Sequence, residues 1–246
     1  MISVIIPTYN DEGLIKSTIA HLQENAYKRL LKEVIVVDAG STDNTVREAT
    51  EAGAMIIRSI RRERGLQLNL GAQAATGKIL YFVSPGTFPP NHYTNEIVRA
   101  TMKGFSFGCF SLTADHRHWM LKVLNRFTKS KIDYTRLENH SLFVLKELFD
   151  KSGRFREDMM ILEDREMIAR LKRYGTFTIL NDKLVPSSVK NPVSTAARAE
   201  FSFMIAWIMY DMGYSQQKLV KVYRALLGRH ASAYGRTDTL SASLTS

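Results

Sequence analysis

Ile2-Ser-Val-Ile-Ile-Pro-Thr-Tyr-Asn10 and Glu33-Val-Ile-Val-Val-Asp-Ala-Gly-Ser-Thr-Asp43 decide how this chain folds. Each is a run of β-branched apolar residues that breaks into a polar turn. A continuous apolar run of this length marks a strand buried on both faces, as in a parallel sheet. An open α/β sheet places its ligand just past the carboxyl ends of its strands. Here those positions hold Pro7, Thr8, Tyr9 and Asn10, then Asp38, Gly40, Ser41 and Asp43. Two polar strand ends this early in the chain predict a nucleotide pocket. A carboxylate such as Asp38 can accept hydrogen bonds from a base or ribose, and Gly40 lets the backbone approach closely. A plainer reading has Ser41 and Asp43 only capping the next helix.

Working outward, Leu14, Ile15, Thr18, Ile19, Leu22 and Ala26 recur at helical spacing. Thr45 and Glu48 read as a capping box for a second helix, which ends at Gly53, and Ala54–Ser59 reads as a third strand. Arg61-Arg-Glu-Arg-Gly65 reads as a polar loop before a helix over Leu66–Ala75, stopped by Gly77. Lys78–Val83 is a fourth strand, and the prolines and glycine of Ser84–Pro90 make that stretch a loop. The βαβαβαβ order argues for an α/β fold with a doubly wound, mainly parallel sheet. The second half is less regular. It predicts a helix over Asn91–Met102, a strand over Phe105–Thr113, an amphipathic segment over His116–Lys129 and a short strand over Ser141–Leu145. A helix over Glu163–Tyr174, strands at Thr176–Leu180 and Leu184–Ser187, and helices near Thr195–Met212 and Ser215–Leu227 follow. The small polar tail from Gly228 is expected to be disordered.

The 246 residues suit one large α/β domain, alone or with a small appendage. The formal charge of +10 favours polyanions: nucleic acid, anionic lipid or phosphorylated substrates. No recognition helix or single-strand motif makes nucleic acid a specific partner. Cys109 is the only cysteine, which excludes an intrachain disulfide and fits a reducing compartment. The start of the chain lacks the pattern of a signal peptide. The longest apolar stretch, near Phe201–Tyr210, falls short of the roughly 20 residues that a spanning helix needs. A cytoplasmic protein is expected, with association to the inner face of the membrane left open.

These pieces, in this order, resemble the family-2 glycosyltransferases of the GT-A fold. Ile2–Asn10 is similar to their opening "SVIIPTYN", and Val36–Thr45 to their "VVDxGSxDxT". Arg64-Gly-Leu-Gln-Leu-Asn-Leu-Gly-Ala72 resembles a "GRAxQMNxGA" segment of small bacterial members. The resemblance runs from residue 2 to about 227 and is most specific over the first 83. It implies a GT-A-like domain over 1–190, with a nucleotide-binding half over 1–90 and an acceptor half over 91–190. Residues 191–228 would form a helical appendage, and 229–246 a disordered tail. It implies that Pro7, Thr8, Tyr9, Glu12 and Asp38 surround the nucleobase and ribose of a nucleoside-diphosphate-sugar donor. Arg64 and Asn69 would lie near the nucleotide or diphosphate, as would Ser84 and Gly86 after the fourth strand.

Leu162–Gly175 resembles the family's "EDxEL…RL…G" helix. By that resemblance Asp164 is the general base of an inverting transfer to an acceptor hydroxyl, and Glu163 orients it. Without the upstream motifs, the same residues would read as an acidic first turn that complements the helix dipole. Family members bind a divalent metal, Mn or Mg, through an Asp after the fourth strand. Gly86 stands in that place here, and neither it nor Ser84 supplies a carboxylate. A segment similar to "GDQGLFV" reads Glu138-Asn-His-Ser-Leu-Phe-Val144, with Asn139 and His140 replacing the Asp and Gln.

Three readings follow. Arg61, Arg62 or Arg64 stabilises the leaving diphosphate without metal; Asp115, His116, His118, Glu138 or His140 recruits a metal; or the chain binds a nucleotide sugar or a partner without turnover. A polar cluster such as Asp115–His118 reads most simply as a solvated cap, so no metal ligand is assigned. The acceptor class is carbohydrate or lipid-linked. The apolar face with Phe201, Phe203, Met204, Ile205, Trp207, Ile208 and Met209 has two readings. It lies on a membrane, with Lys218, Lys221, Arg224 and Arg229 toward anionic lipid, or it packs on the domain or in a dimer interface. The oligomeric state is left unassigned.

Overall fold

A computed structural model of the protein describes residues 1–112, 141–186 and 193–227. Its strands are β1 (Ile2–Thr8), β2 (Leu31–Asp38), β3 (Met55–Arg58), β4 (Ile79–Val83), β5 (Thr87–Phe88), β6 (Phe107–Leu112), β7 (Ser141–Leu145) and β8 (Phe177–Pro186). They form one sheet in the order β3-β2-β1-β4-β7-β6-β8-β5. The first four neighbours are parallel. β7 runs antiparallel to β4 and β6, while β8 is parallel to β6 and antiparallel to β5. The fold is therefore the expected mixed, mainly parallel α/β sheet flanked by helices.

The helices are α1 (Ile15–Glu24), α2 (Thr45–Glu51), α3 (Arg64–Ala74), α4 (Tyr93–Met102), α5 (Lys146–Lys151), α6 (Glu163–Leu171), α7 (Val193–Asp211) and α8 (Gln216–Leu227). All seven residues of β1 are buried, because successive side chains feed the two faces of the sheet alternately. Ile2, Val4 and Ile6 pack with Ile15, Ile19 and Leu22 of α1 and Tyr93 and Ile97 of α4. On the other face Ile5, Ile35 and Val37 pack with Leu68 and Ala72 of α3 and Met167, Ile168 and Leu171 of α6. Each fully buried aliphatic side chain of this kind contributes about 1.5–3 kcal/mol. Gly71 lets α3 lie close on β1, since a Cβ there would collide with the Ile5 side chain.

Register sets the site. Thr8 pairs with Asp38, and Asp38 pairs with Arg58, so the carboxyl ends of β1, β2 and β3 lie level.

Several local expectations change. α2 begins at Thr45 with Asn44 as its cap residue and no side-chain cap: the Asn44 amide donates to Glu12, and Glu48 accepts the Gly13 N–H at 3.0 Å rather than closing a capping box. Asp43 takes the Thr45 N–H at 3.0 Å instead. α3 begins at Arg64, so Arg64 and Gly65 form its first turn rather than a loop. Within Ser84–Pro90, Thr87 and Phe88 pair with Pro186 and Val185. The two strands read near 176–187 are one strand, β8. Phe110 faces Leu180 but Ser111 faces Lys183, so Asn181 and Asp182 form a bulge that splits the apolar pattern. The short α5 was not expected. The segment 116–129, Ser187 and the tail from 228 lie outside the described residues.

α7 and α8 pack on each other and on the stretch that enters α6. Met159, Ile161 and Leu162 are buried with Ala206, Trp207, Leu219, Val220, Tyr223 and Leu227. Trp207 therefore faces inward, while Phe201, Ile208 and Met212 are exposed. No helix among the described residues is long and apolar enough to cross a membrane.

Candidate functional site

Two loops meet where β1 and β2 end. Asn10 donates its N–H to Ser41 Oγ at 2.9 Å and accepts the Thr42 N–H through Oδ1 at 2.9 Å. Asp11 N–H reaches Thr45 Oγ1 at 2.8 Å, and Glu12 N–H reaches Asp43 Oδ2 at 3.2 Å. Glu12 in turn accepts from the Asn44 side chain at 2.7 Å and from its N–H at 3.2 Å. Those bonds hold the exposed Glu12 carboxyl below its ordinary pKa. Burial raises the Asp43 carboxyl, but bonds from Thr45 and Glu12 outweigh it and the net shift is downward. Asp11 moves the other way. Its burial raises the carboxyl pKa, against hydrogen bonds from Thr8 Oγ1 and the Tyr9 N–H.

Asp38 is 2% exposed and organises its own loop. It accepts from the N–H groups of Gly40 and Ser41 at 3.0 and 3.1 Å, and from the Ser41 hydroxyl. Gly40 sits at φ +85°, which glycine adopts without a Cβ clash. Ser41 therefore does not cap α2, although Asp43 does bond to its first residue. Beneath the strand ends, the buried Gln67 amide bridges Thr8 O at 3.0 Å and Val37 O at 2.7 Å. A cavity of about 270 Å³ opens here, lined by Asp38, Gly40, Ser41, Val46, Arg58 and Ser59.

Beyond β3, Ser59 fixes the next loop by donating to Asp38 O at 2.7 Å through its N–H and to Arg61 O at 2.7 Å through its hydroxyl. The three arginines that follow have separate fates. Arg61 reaches Glu63 at 3.7 Å and Glu157 at 3.4 Å. The Arg62 guanidinium lies 3.8 Å from the centre of the Tyr9 ring. Arg64 Nη1 donates to both Glu163 Oε1 and Asp164 Oδ1 at 2.8 Å. Burial opposes the charge on Arg64, but the two carboxylates outweigh it and hold its pKa above the ordinary arginine value.

Glu163 and Asp164 open α6 and are 3% and 6% exposed. Burial this deep is more than an exposed acidic first turn requires. Glu163 Oε2 is buried without a hydrogen-bond partner. The residue before them, Leu162, sits at φ +69°, a left-handed conformation that costs a non-glycine residue about 1–2 kcal/mol. Its burial among Trp207, Leu219 and their neighbours holds it there.

The sequence-derived residues thus divide into two groups. Pro7, Thr8, Tyr9, Glu12 and Asp38 converge at the strand ends. Arg64 joins Glu163 and Asp164. Asn69 is committed elsewhere. It clamps Phe155 by donating to its O at 2.9 Å and accepting its N–H at 3.0 Å, with Glu157 at 3.0 Å. Ser84 O accepts the Thr87 N–H at 3.2 Å, and the Gly86 N–H binds Thr18 Oγ1 at 2.8 Å.

Asp11, Gln67, Arg58 and Glu157 were not singled out. Gln67 alone stands within one of the quoted segments; Asp11 directly follows the first of them, and Arg58 and Glu157 carry no motif signal of their own.

The place after β4 does not fit a divalent metal. Ser84, Pro85 and Gly86 offer no carboxylate, and Gly86 holds φ +76° with its N–H committed to Thr18. Among the described residues no three His, Cys, Asp or Glu side chains are grouped to hold a metal. Asp115, His116, His118, Glu138, Asn139 and His140 lie outside the described residues.

Residues 3–143 match the family described as glycosyl transferase family 2. An uncharacterised glycosyltransferase of Rickettsia prowazekii is 25% identical over 205 residues, 77% of this chain and 64% of that protein. Its counterpart in Rickettsia typhi is 25% identical over 211 residues, 79% of this chain and 66% of that protein. The chain thus spans just under two thirds of the length of both.

Among solved structures, a mannosyltransferase of Pyrobaculum calidifontis, in complex with GDP-Man and Mn2+, superposes with a TM-score of 0.66 at 20% identity. That match covers 99% of this chain and 73% of the other. Glucosyl-3-phosphoglycerate synthase of Mycobacterium tuberculosis, with Mn2+, UDP and phosphoglyceric acid, gives 0.64 at 19% identity, over 87% and 78% of the two chains. TarS of S. aureus, residues 1-349 with UDP-GlcNAc, gives 0.64 at 20% identity, over 94% and 72%. These three likenesses bear on the fold.

Proposed function

The chain belongs to glycosyl transferase family 2, and on that premise we propose that it transfers a sugar from a nucleoside-diphosphate donor to an acceptor hydroxyl with inversion. The observation that carries this reading is the junction of the two motifs. Arg64, at the start of α3 beside the strand-end cleft, binds Glu163 and Asp164 at the start of α6. The nucleoside half of the donor occupies the cleft at the ends of β1, β2 and β3. In this reading Pro7, Thr8 and Tyr9 meet it from the end of β1, and Asp38 holds the Gly40–Ser41 backbone against it.

Asp164 takes the proton from the acceptor hydroxyl. The acceptor oxygen bonds to the anomeric carbon as the bond from that carbon to the diphosphate oxygen breaks. The electron pair of the broken bond leaves on the nucleoside diphosphate. Arg64 and Glu163 are positioning residues, since a carboxyl fixed by a guanidinium cannot rotate away from the incoming hydroxyl.

The structural neighbours carry UDP, UDP-GlcNAc and GDP-Man, so uridine and guanosine donors are the first to test. A divalent metal accompanies two of them, but in this chain Gly86 supplies no carboxylate to hold one. The acceptor is a carbohydrate or a lipid-linked hydroxyl. The exposed apolar side chains of α7, with the lysines of α8, offer a surface for the latter at a membrane.

The absence of a carboxylate at Gly86 favours one second reading, a nucleotide-sugar-binding or scaffold protein without turnover. A thermal-shift panel of nucleoside diphosphates and their sugars, with and without Mn2+, followed by a donor-hydrolysis assay, separates the two. A true donor raises the melting temperature with its saturation and is then consumed. Tight binding without consumption selects the second reading.

A further inference from the structure

Three arginines follow β3 within four positions, and among the described residues two of them are matched by carboxylates. Arg61 faces Glu63 and Glu157, and Arg64 faces Glu163 and Asp164. Arg62 has neither an ion pair nor a hydrogen bond among the described residues; its guanidinium rests on the Tyr9 ring at 3.8 Å. A cation over an aromatic face is held only by the modest attraction of the ring's quadrupole. A phosphate oxygen offers charge-assisted hydrogen bonds worth about twice a neutral one. The resting contact is thus one that an anion can outcompete.

Position supports the same role. The strand order β3-β2-β1-β4 puts the end of β1, where Tyr9 stands, between the cavity at β2 and β3 and the Gly86 turn after β4. Along the chain, Arg62 lies between Ser59, which lines that cavity, and Arg64, which holds Asp164. A diphosphate that links a nucleoside in the cavity to a sugar near Asp164 passes this point. It meets no carboxylate-held metal there, because Gly86 and Ser84 cannot supply one.

We infer that Arg62 is the diphosphate-binding cation of this site, parked on Tyr9 when no donor is bound and shifting to the phosphate oxygens when one is. The inference rests on the donor class proposed above. It selects Arg62 among the three cations, because Arg64 is held by two buried carboxylates and Arg61 already faces Glu63 and Glu157.

The test measures binding, in EDTA, of UDP, GDP, ADP, CDP and dTDP, each beside its nucleoside, to the wild type, Arg62→Ala and Arg62→Lys. For the base that binds, the wild type should prefer the diphosphate to the nucleoside. Arg62→Ala should lose about tenfold or more in diphosphate affinity and leave nucleoside affinity unchanged. Arg62→Lys should keep part of the preference, and added salt should erode the wild-type advantage. Unchanged diphosphate affinity in Arg62→Ala overturns this inference alone. Equal loss of diphosphate and nucleoside also overturns it, by showing a contact to the base or a structural role. If the wild type binds none of these diphosphates or nucleosides, the donor class itself fails and takes this inference with it. Matching melting temperatures for the three proteins exclude misfolding as the cause of any loss.

Discussion

Arg64 reaches two carboxyl groups, Glu163 and Asp164, through one guanidinium nitrogen, and both partners are nearly inaccessible to water. A buried group of this kind is costly to break from one side, because the remaining charges lose both solvent and partner. Arg64→Met should therefore destabilise the protein by about 3–5 kcal/mol, read from urea unfolding. Arg64→Lys should recover only part, since an ammonium lacks the planar fork.

Glu33 illustrates the opposite case, a carboxylate that serves stability away from the site. Burial raises its pKa, but bonds from Ser3 and from the Thr76 N–H and hydroxyl win, and the net shift is downward. A lowered folded-state value means that Glu33 stabilises the protein above its unfolded pKa, near 4.5. That contribution is lost as pH falls through the lower folded value. Glu33→Gln should flatten the acid limb of a stability-against-pH curve and leave nucleotide binding unchanged. Little of this residue detail was legible in the sequence. The Glu163–Asp164 motif could be recognised, but its tie to Arg64 spans 99 and 100 positions, and no local pattern encodes it.

Among the elements, α6 depends on α8 for its entry. Gln216 Oε1 accepts the N–H groups of Met160 and Ile161 at 3.1 and 3.3 Å. Together with Trp207, this holds the strained Leu162 that directs Glu163 and Asp164 inward. Gln216→Ala should cost about 1–2 kcal/mol of stability and lower kcat, with donor affinity unchanged. A loss of donor affinity instead would show that α8 serves the nucleotide half.

Elements buried on both faces were readable because their apolar runs are continuous, as in β1, β2 and β4. Elements defined by a distant partner were not. β5 is two residues between prolines, visible only through its pairing with β8, and the bulge at Asn181–Asp182 broke β8 into two apparent strands. The Thr45–Glu48 capping pattern was present, but the Gly13 N–H drew Glu48 into a tertiary bond.

For the whole molecule, a net charge of +10 suggests an anionic partner, a role that the nucleoside-diphosphate donor proposed above would fill. The same charge bears on the acceptor. Phe201 and Ile208 are exposed on α7 and Met212 just after it, and Lys218, Lys221 and Arg224 line a hollow on α8. If the acceptor is lipid-linked, the protein should sediment with vesicles containing anionic lipid, and less so with neutral ones or at high salt. Phe201→Ser combined with Ile208→Ser should weaken that association without lowering nucleotide affinity.

The central claim is that Asp164 removes the acceptor proton in a sugar transfer. Its most direct test is the transfer rate of wild type and Asp164→Asn at saturating donor, with nucleotide affinity measured on the same preparations. If Asp164 is the base, kcat should fall about 10²–10⁴-fold with nucleotide affinity retained. Transfer by Asp164→Asn at the wild-type rate would contradict it.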